Sequence, residues 1–96
     1  MHPLARKRLM ARLLDELPIL RARLGISQAE LAQQVGISRQ TLSGIETGKQ
    51  AMTWVTFMAL LAFFENNKGS LSQLSLIGFF EDEDFTKCLT IEERRK

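Results

Sequence analysis

The chain has one cysteine, one histidine, no tyrosine and two prolines in 96 residues, and each shortage removes a class of chemistry. A lone Cys88 cannot close an intramolecular disulfide, which suits a reducing compartment and leaves only a bridge to a second molecule open. His2, the only histidine, has no cysteine or carboxylate cluster at ligand spacing, so a metal site is not expected. No nucleophile and base pair and no phosphate-cradling loop is visible, so the expectation is a protein that is not an enzyme, with no catalytic residue and no cofactor. The longest apolar run, Phe57 to Phe64, falls far short of the roughly 20 residues that span a bilayer. Met1 to Met10 lacks the apolar stretch of a signal peptide. A cytoplasmic chain with no membrane partner is the expectation.

Alternating β-branched patterns are also missing, and the prolines are confined to Pro3 and Pro18, so the fold class expected is all-α. The length suits a single domain over residues 1–96, with one core and no room for a separate effector domain. The formal charge of +2 is unevenly spread: residues 1–49 carry net +4 and residues 50–96 net −2. The N-terminal half is therefore the half expected to face a polyanion.

Five to six helices are expected, including an extra N-terminal helix. That first helix spans about Pro3 to Leu14, with Arg6, Lys7, Arg8 and Arg12 set among Leu4, Leu9, Met10 and Leu13. Its basic residues read either as a phosphate-contacting strip or as the exposed face of an amphipathic helix. Asp15 caps a second helix from about Glu16 to Leu24, with Pro18 in its first turn, where a missing N–H matters little; one long helix kinked at Pro18 is the alternative. Ser27 and Glu30 have the spacing of a capping box for a helix ending at Val35. Ser38 opens a helix to about Glu46, with Gly48 beyond it, and Thr53 caps another from Trp54 to about Phe64. After the break at Asn66-Asn67-Lys68-Gly69, a helix from about Ser70 to Phe80 follows. Glu81-Asp82-Glu83-Asp84 reads as a solvated acidic turn, or as a device that repels DNA or docks a basic partner. A short helix is expected near Ile91 to Arg95.

Residues 28 to 48 read as two short helices meeting at Gly36, where the chain must reverse and a positive φ is favoured. Ala32 allows close approach, Leu31 and Val35 form one apolar stripe, and Leu42 and Ile45 form the other. This is the pattern of a DNA-reading helix-turn-helix. From Ile19 to about Phe64 the chain resembles the lambda-repressor and Cro-like, or Xre, family: Leu24-Gly25-Ile26-Ser27-Gln28 is similar to its first-helix end and second-helix start, and Ile45-Glu46-Thr47-Gly48-Lys49 to the end of its recognition helix. The resemblance implies a helix-turn-helix core over 15–67, preceded by an extension helix at 1–14 and followed by a helix and tail at 68–96 suited to dimerisation.

The major groove admits one helix, whose N-terminal, groove-facing side chains read base edges. For the helix opening at Ser38 the base-contacting candidates are Arg39, Gln40, Ser43 and Gly44. Arg39 suits guanine O6 and N7, or alternatively phosphate, and Gln40 suits adenine N6 and N7. At Gly44 the family often has a longer polar side chain, so one contact is missing there. Phosphate candidates are Gln28 at a helix N-terminus, Ser38, Thr41, for which a thymine methyl is the alternative, and Lys49, for which a solvated lysine is the plain alternative. The resemblance further implies a structural ion pair between Arg21 and Glu46 that fixes the recognition helix.

The helix from Trp54 is apolar nearly all round, and such a helix is buried on more than one side. The expectation is a homodimer interface drawn from Val55, Ala59, Ala62, Phe63, Leu74 and Ile77, with cover by the chain's own extension or tail as the alternative. The function expected is a sequence-specific, dimeric transcriptional regulator of double-stranded DNA, acting as a repressor by occupying promoter DNA, with activation as the alternative. The competing expectation is an antitoxin that binds its own promoter and a toxin protein.

Overall fold

The computed structural model describes residues 3–89; the expected short helix at 91–95, His2 and the Cys88 side chain lie outside the described part. Among the described residues there are six α-helices, one 3-10 turn and no strand. They are α1 (Pro3–Leu24), α2 (Gln28–Val35), α3 (Arg39–Glu46), α4 (Trp54–Glu65), α5 (Lys68–Leu76), the turn Phe79–Glu81 and α6 (Glu83–Leu89). None of these helices is long and apolar enough to cross a membrane.

α1 is one helix of 22 residues rather than two, and Asp15 lies within it instead of capping a second helix. The reason is the leucine stripe Leu9, Leu13, Leu17 and Leu20, fully buried and spaced four, four and three residues apart, which passes through Asp15 and Glu16 without losing phase. Pro18 removes one helical hydrogen bond, at about 3 kcal/mol. Each buried leucine returns about 1.5–3 kcal/mol, so packing outweighs the break. Pro18 itself is on the exposed side of the helix.

The short helices follow from local signals. Ser27 Oγ accepts from the Glu30 amide while Glu30 Oε1 accepts from the Ser27 amide, closing the capping box at the start of α2. Gly36, at φ 81°, ends α2, and the amides of Gly36 and Ile37 both donate to the Ala32 carbonyl. Leu31, Ala32, Leu42 and Ile45 close the corner against Phe57, Leu60, Leu61 and Phe64 of α4 in one continuous core.

α5 runs antiparallel to α1. Arg23 Nε donates to the Gly69 carbonyl, Gln73 Nε2 to Glu16 Oε1 at 3.0 Å, and Arg12 Nη2 to the Ile77 carbonyl at 2.6 Å. Gly69 sits at the tightest approach, because a Cβ there would lie 3.3 Å from the Arg23 carbonyl oxygen. The helix occupies Lys68–Leu76 rather than 70–80, since Gly78 turns the chain at φ 70° and Phe79 is buried beyond it. Phe79, Phe80 and Phe85 then pack edge to face, with centroids 5.6–5.8 Å apart. Leu74 is a correction to the expected dimer interface: it belongs to the core and is fully buried inside a single chain, so no surface of it remains for a partner.

The acidic run is not simply a solvated turn. Glu81 and Glu83 are exposed, but the Asp82 side chain is only 4 % exposed and pairs with both Arg8 and Arg12, while Asp84 pairs with Arg8. Arg8 and Arg12 are thus held by carboxylates and do not form an unpaired basic strip. Burial by itself would raise the Asp82 carboxyl, yet the Arg12 hydrogen bond, the Asp84 amide and Arg8 outweigh it and hold the group below the ordinary carboxylate range.

A lowered carboxyl pKa contributes stability that is complete above the unfolded value of about 3.9 and is lost as the pH falls through the folded value. Denaturant titrations from pH 6 down to pH 3 are therefore expected to show a decline in stability that Asp82→Asn flattens. Arg12→Ala is expected to destabilise the chain by about 2 kcal/mol, below the range for a fully buried pair because the Arg12 side chain is 30 % exposed.

Candidate nucleic-acid interface

α3 is amphipathic over eight residues. Leu42 and Ile45 are buried, and Arg39 and Gln40 are exposed at its N-terminal end. Ser38 caps it: its Oγ accepts from the Thr41 amide at 3.0 Å and donates to Thr41 Oγ1 at 2.8 Å. The hydroxyls of these two phosphate candidates are therefore already joined to each other. Ser43 is half-buried, and its carbonyl accepts from Thr47 Oγ1 at 2.9 Å.

The orientation of α3 depends on one carboxylate. Arg21 Nε donates to Glu46 Oε1 at 2.9 Å and Arg21 Nη2 to Glu46 Oε2 at 3.1 Å, a two-pronged pair between α1 and α3. Gln28 Nε2 donates to Glu46 Oε2 at 2.7 Å and brings in α2. The Glu46 side chain is 9 % exposed and that of Arg21 20 %. Arg21 and Glu46 are brought together with a third member that sequence reading had placed on phosphate. Gln28 spends its carboxamide here, which leaves its main-chain N–H for an anion at the start of α2. The identity of Gln28 carries no signal for this role, because the bond spans 18 residues.

Gly44 needs correction as a base-contacting position. An ideal Cβ there would lie 3.2 Å from Gln50 Oε1 and 3.3 Å from Gln50 Cβ, so the Gln50 side chain covers it. The Gly44 carbonyl accepts from the amides of Lys49 and Gln50 at 2.9 and 3.0 Å, which folds the loop back over the helix end. Lys49 is exposed on that loop. Sequence reading missed Gln50, which stands beyond the helix and is brought back by the turn at Gly48 and these two amide bonds.

The remaining candidates lie apart from this surface. Val55 is 78 % exposed, Ala62 is exposed, and Ala59, Phe63 and Ile77 are half-buried. Val55, Met58 and Ala62 fall at spacings of three and four, on one exposed face of α4. Arg6 of α1 stacks over the Trp54 ring at 4.7 Å, next to the start of that face.

A family model described as a helix-turn-helix domain matches residues 12–65, from inside α1 to the last residue of α4. The match takes in α2, α3, the Arg21–Glu46 pair and the Gln50 loop, and leaves α5 and α6 outside. No curated protein and no solved structure matches the chain.

Removing Arg21 leaves a nearly buried carboxylate with only an amide for company. Arg21→Ala is therefore expected to lower stability by about 3 kcal/mol. A double-mutant cycle with Glu46→Ala, read by chemical denaturation, is expected to give a coupling of about 1–3 kcal/mol, and a coupling near zero rejects the structural role.

Proposed function

The chain belongs to the helix-turn-helix domain family, and from that premise we propose that it is a sequence-specific, dimeric transcriptional regulator of the Xre and Cro-like kind. It acts as a repressor by occupying promoter DNA in the cytoplasm. The observation that carries this reading is the pairing of Glu46 with Arg21 and Gln28, which fixes α3 against α1 and α2 while Arg39 and Gln40 stay exposed at its leading end. A helix held rigidly, with polar side chains free at its N-terminal end, is what base reading in the major groove requires. Gln40 and Arg39 read base edges, Ser43 lies at the edge of that surface, and Lys49 with the main-chain N–H of Gln28 meets phosphate.

One recognition helix covers too few base pairs for useful specificity, which favours a twofold dimer. The exposed apolar face of α4, Val55, Met58 and Ala62, supports this as the contact, with Ala59 and Phe63 beside it. An antitoxin needs a second protein-binding surface, which the ends of the described segment, outside the helix-turn-helix core, would have to supply. Those ends pack on each other through Arg8, Arg12, Asp82 and Asp84, which favours the regulator.

Selection of duplexes from random DNA tests the proposal. Gln40→Ala is expected to weaken binding to the selected sites by about 1–3 kcal/mol while sparing non-specific DNA. Lys49→Ala is expected to weaken both and to reduce the salt slope by about one charge. An equal loss on all DNA with Gln40→Ala moves that residue to the phosphate class, and an unchanged slope removes Lys49 from it.

Selected sites are expected to be near-palindromes with half-sites about 10 base pairs apart, since a twofold protein presents the same residues to each half. Val55→Glu, at a position the lone chain leaves open, is expected to give a folded monomer by sedimentation equilibrium that binds its sites weakly. A wild-type chain that stays monomeric on its selected DNA overturns the dimer.

A further inference from the structure

Gln40 and Gly44 stand one turn apart on the side of α3 away from Leu42 and Ile45. Along that line α3 carries a side chain at its first turn and none at its second, where the half-buried Ser43 stands to one side. Thr47, the next residue on that side, is turned back onto the helix, with Oγ1 donating to the Ser43 carbonyl at 2.9 Å. The second turn is nevertheless not bare. Gly48, at φ 79°, reverses the chain, the Gln50 amide returns to the Gly44 carbonyl at 3.0 Å, and the Gln50 side chain lies over Gly44. Its Cβ and Oε1 are within 3.3 Å of where a Gly44 side chain would begin. Gln50 is exposed, and none of the hydrogen bonds among the described residues engages its carboxamide.

We infer that Gln50 serves as the base-reading side chain of the second turn of α3, delivered from the loop in place of a residue at position 44. The inference rests on the proposed reading of DNA by α3. A primary amide carries a donor and an acceptor side by side and matches adenine N6 and N7 in the major groove, as Gln40 does one turn earlier. Gln40 and the position that Gln50 covers lie about 6 Å apart along the helix, at about 1.5 Å per residue, so their carboxamides address base pairs close to each other. Glycine at position 44 gives this arrangement its room: a Cβ there would lie 3.2 Å from Gln50 Oε1 and 3.3 Å from Gln50 Cβ, tighter than ordinary contact, so Gln50 would have to shift, although the backbone there has no positive φ and accepts a side chain.

The test compares base-preference profiles of the full chain, measured on duplexes selected by the wild type. Gln50→Ala is expected to lose about tenfold discrimination at one base pair beside the one read by Gln40, with the remaining positions and non-specific affinity kept. Gln50→Glu is expected to turn the preference at that base pair towards cytosine, whose amino group donates to a carboxylate. Gly44→Ala is expected to relax the same base pair, and the double variant with Gln50→Ala to go no further than either single change. Thermal unfolding of Gln50→Ala is expected to match the wild type, because the side chain is exposed.

A sharp wild-type profile that Gln50→Ala leaves unchanged at every base pair overturns the inference while the DNA-reading proposal stands. A uniform loss on all sequences does the same by making Gln50 a backbone contact. A wild-type chain that prefers no duplex sequence overturns the DNA-reading proposal, and this inference with it.

Discussion

Glu46 is a carboxylate that water barely reaches, and a group of that kind is tolerable only when its lone pairs are filled. Arg21 and Gln28 fill them from two different helices. The requirement acts as a constraint on geometry: α3 cannot rotate or slide against α1 and α2 without leaving the charge unpaired. Apolar contacts between Leu31, Ala32, Leu42 and Ile45 hold the corner together but tolerate small sliding. The directional bonds remove that slack, and a reading helix that must present Arg39 and Gln40 within a fraction of an ångström depends on their removal.

The other end of α1 repeats the device with the same division of charge. There the buried carboxylate is Asp82, and the arginines are Arg8 and Arg12 on α1. One long helix thus carries the cationic side of two separate clasps, one fastening the reading helix and one fastening the segment after α5. This explains why α1 is continuous through Pro18: a break at residue 15 would uncouple the two clasps and interrupt the buried leucine stripe between them.

What the sequence disclosed divides by distance along the chain. The caps at Ser27 and Ser38 and the corner at Gly36 involve partners within about four residues and were readable from residue type alone. The all-helical class followed from periodicity in the same way. The unity of α1 was readable only as one of two alternatives, and burial of its leucine stripe decides for the single helix. The burial of Asp82 and the interior position of Leu74 were not readable, because each is decided by helices far away in sequence. Asp82 sits among three other acids, and nothing in that run distinguishes the one that turns inward towards residues 70 and 74 positions earlier. Gln50 shows the same limit at short range: it lies six residues past Gly44, but its placement depends on a reversal at Gly48 and two bonds to one carbonyl.

These pairings also change the electrostatic reading of the surface. The excess of basic residues in the first half of the sequence suggests a broad positive field, yet Arg8 and Arg12 answer to Asp82 and Asp84, and Arg21 answers to Glu46. Arg6 is stacked on Trp54. Of the basic residues in that half, Lys7, Arg23, Arg39 and Lys49 have no carboxylate partner among the described residues, and Arg39 and Lys49 flank the exposed face of α3. A sparse set of cations supplies a modest non-directional attraction to the phosphate backbone. Discrimination then has to come from hydrogen bonds whose donors and acceptors are held in place, and the Glu46 clasp is what holds them.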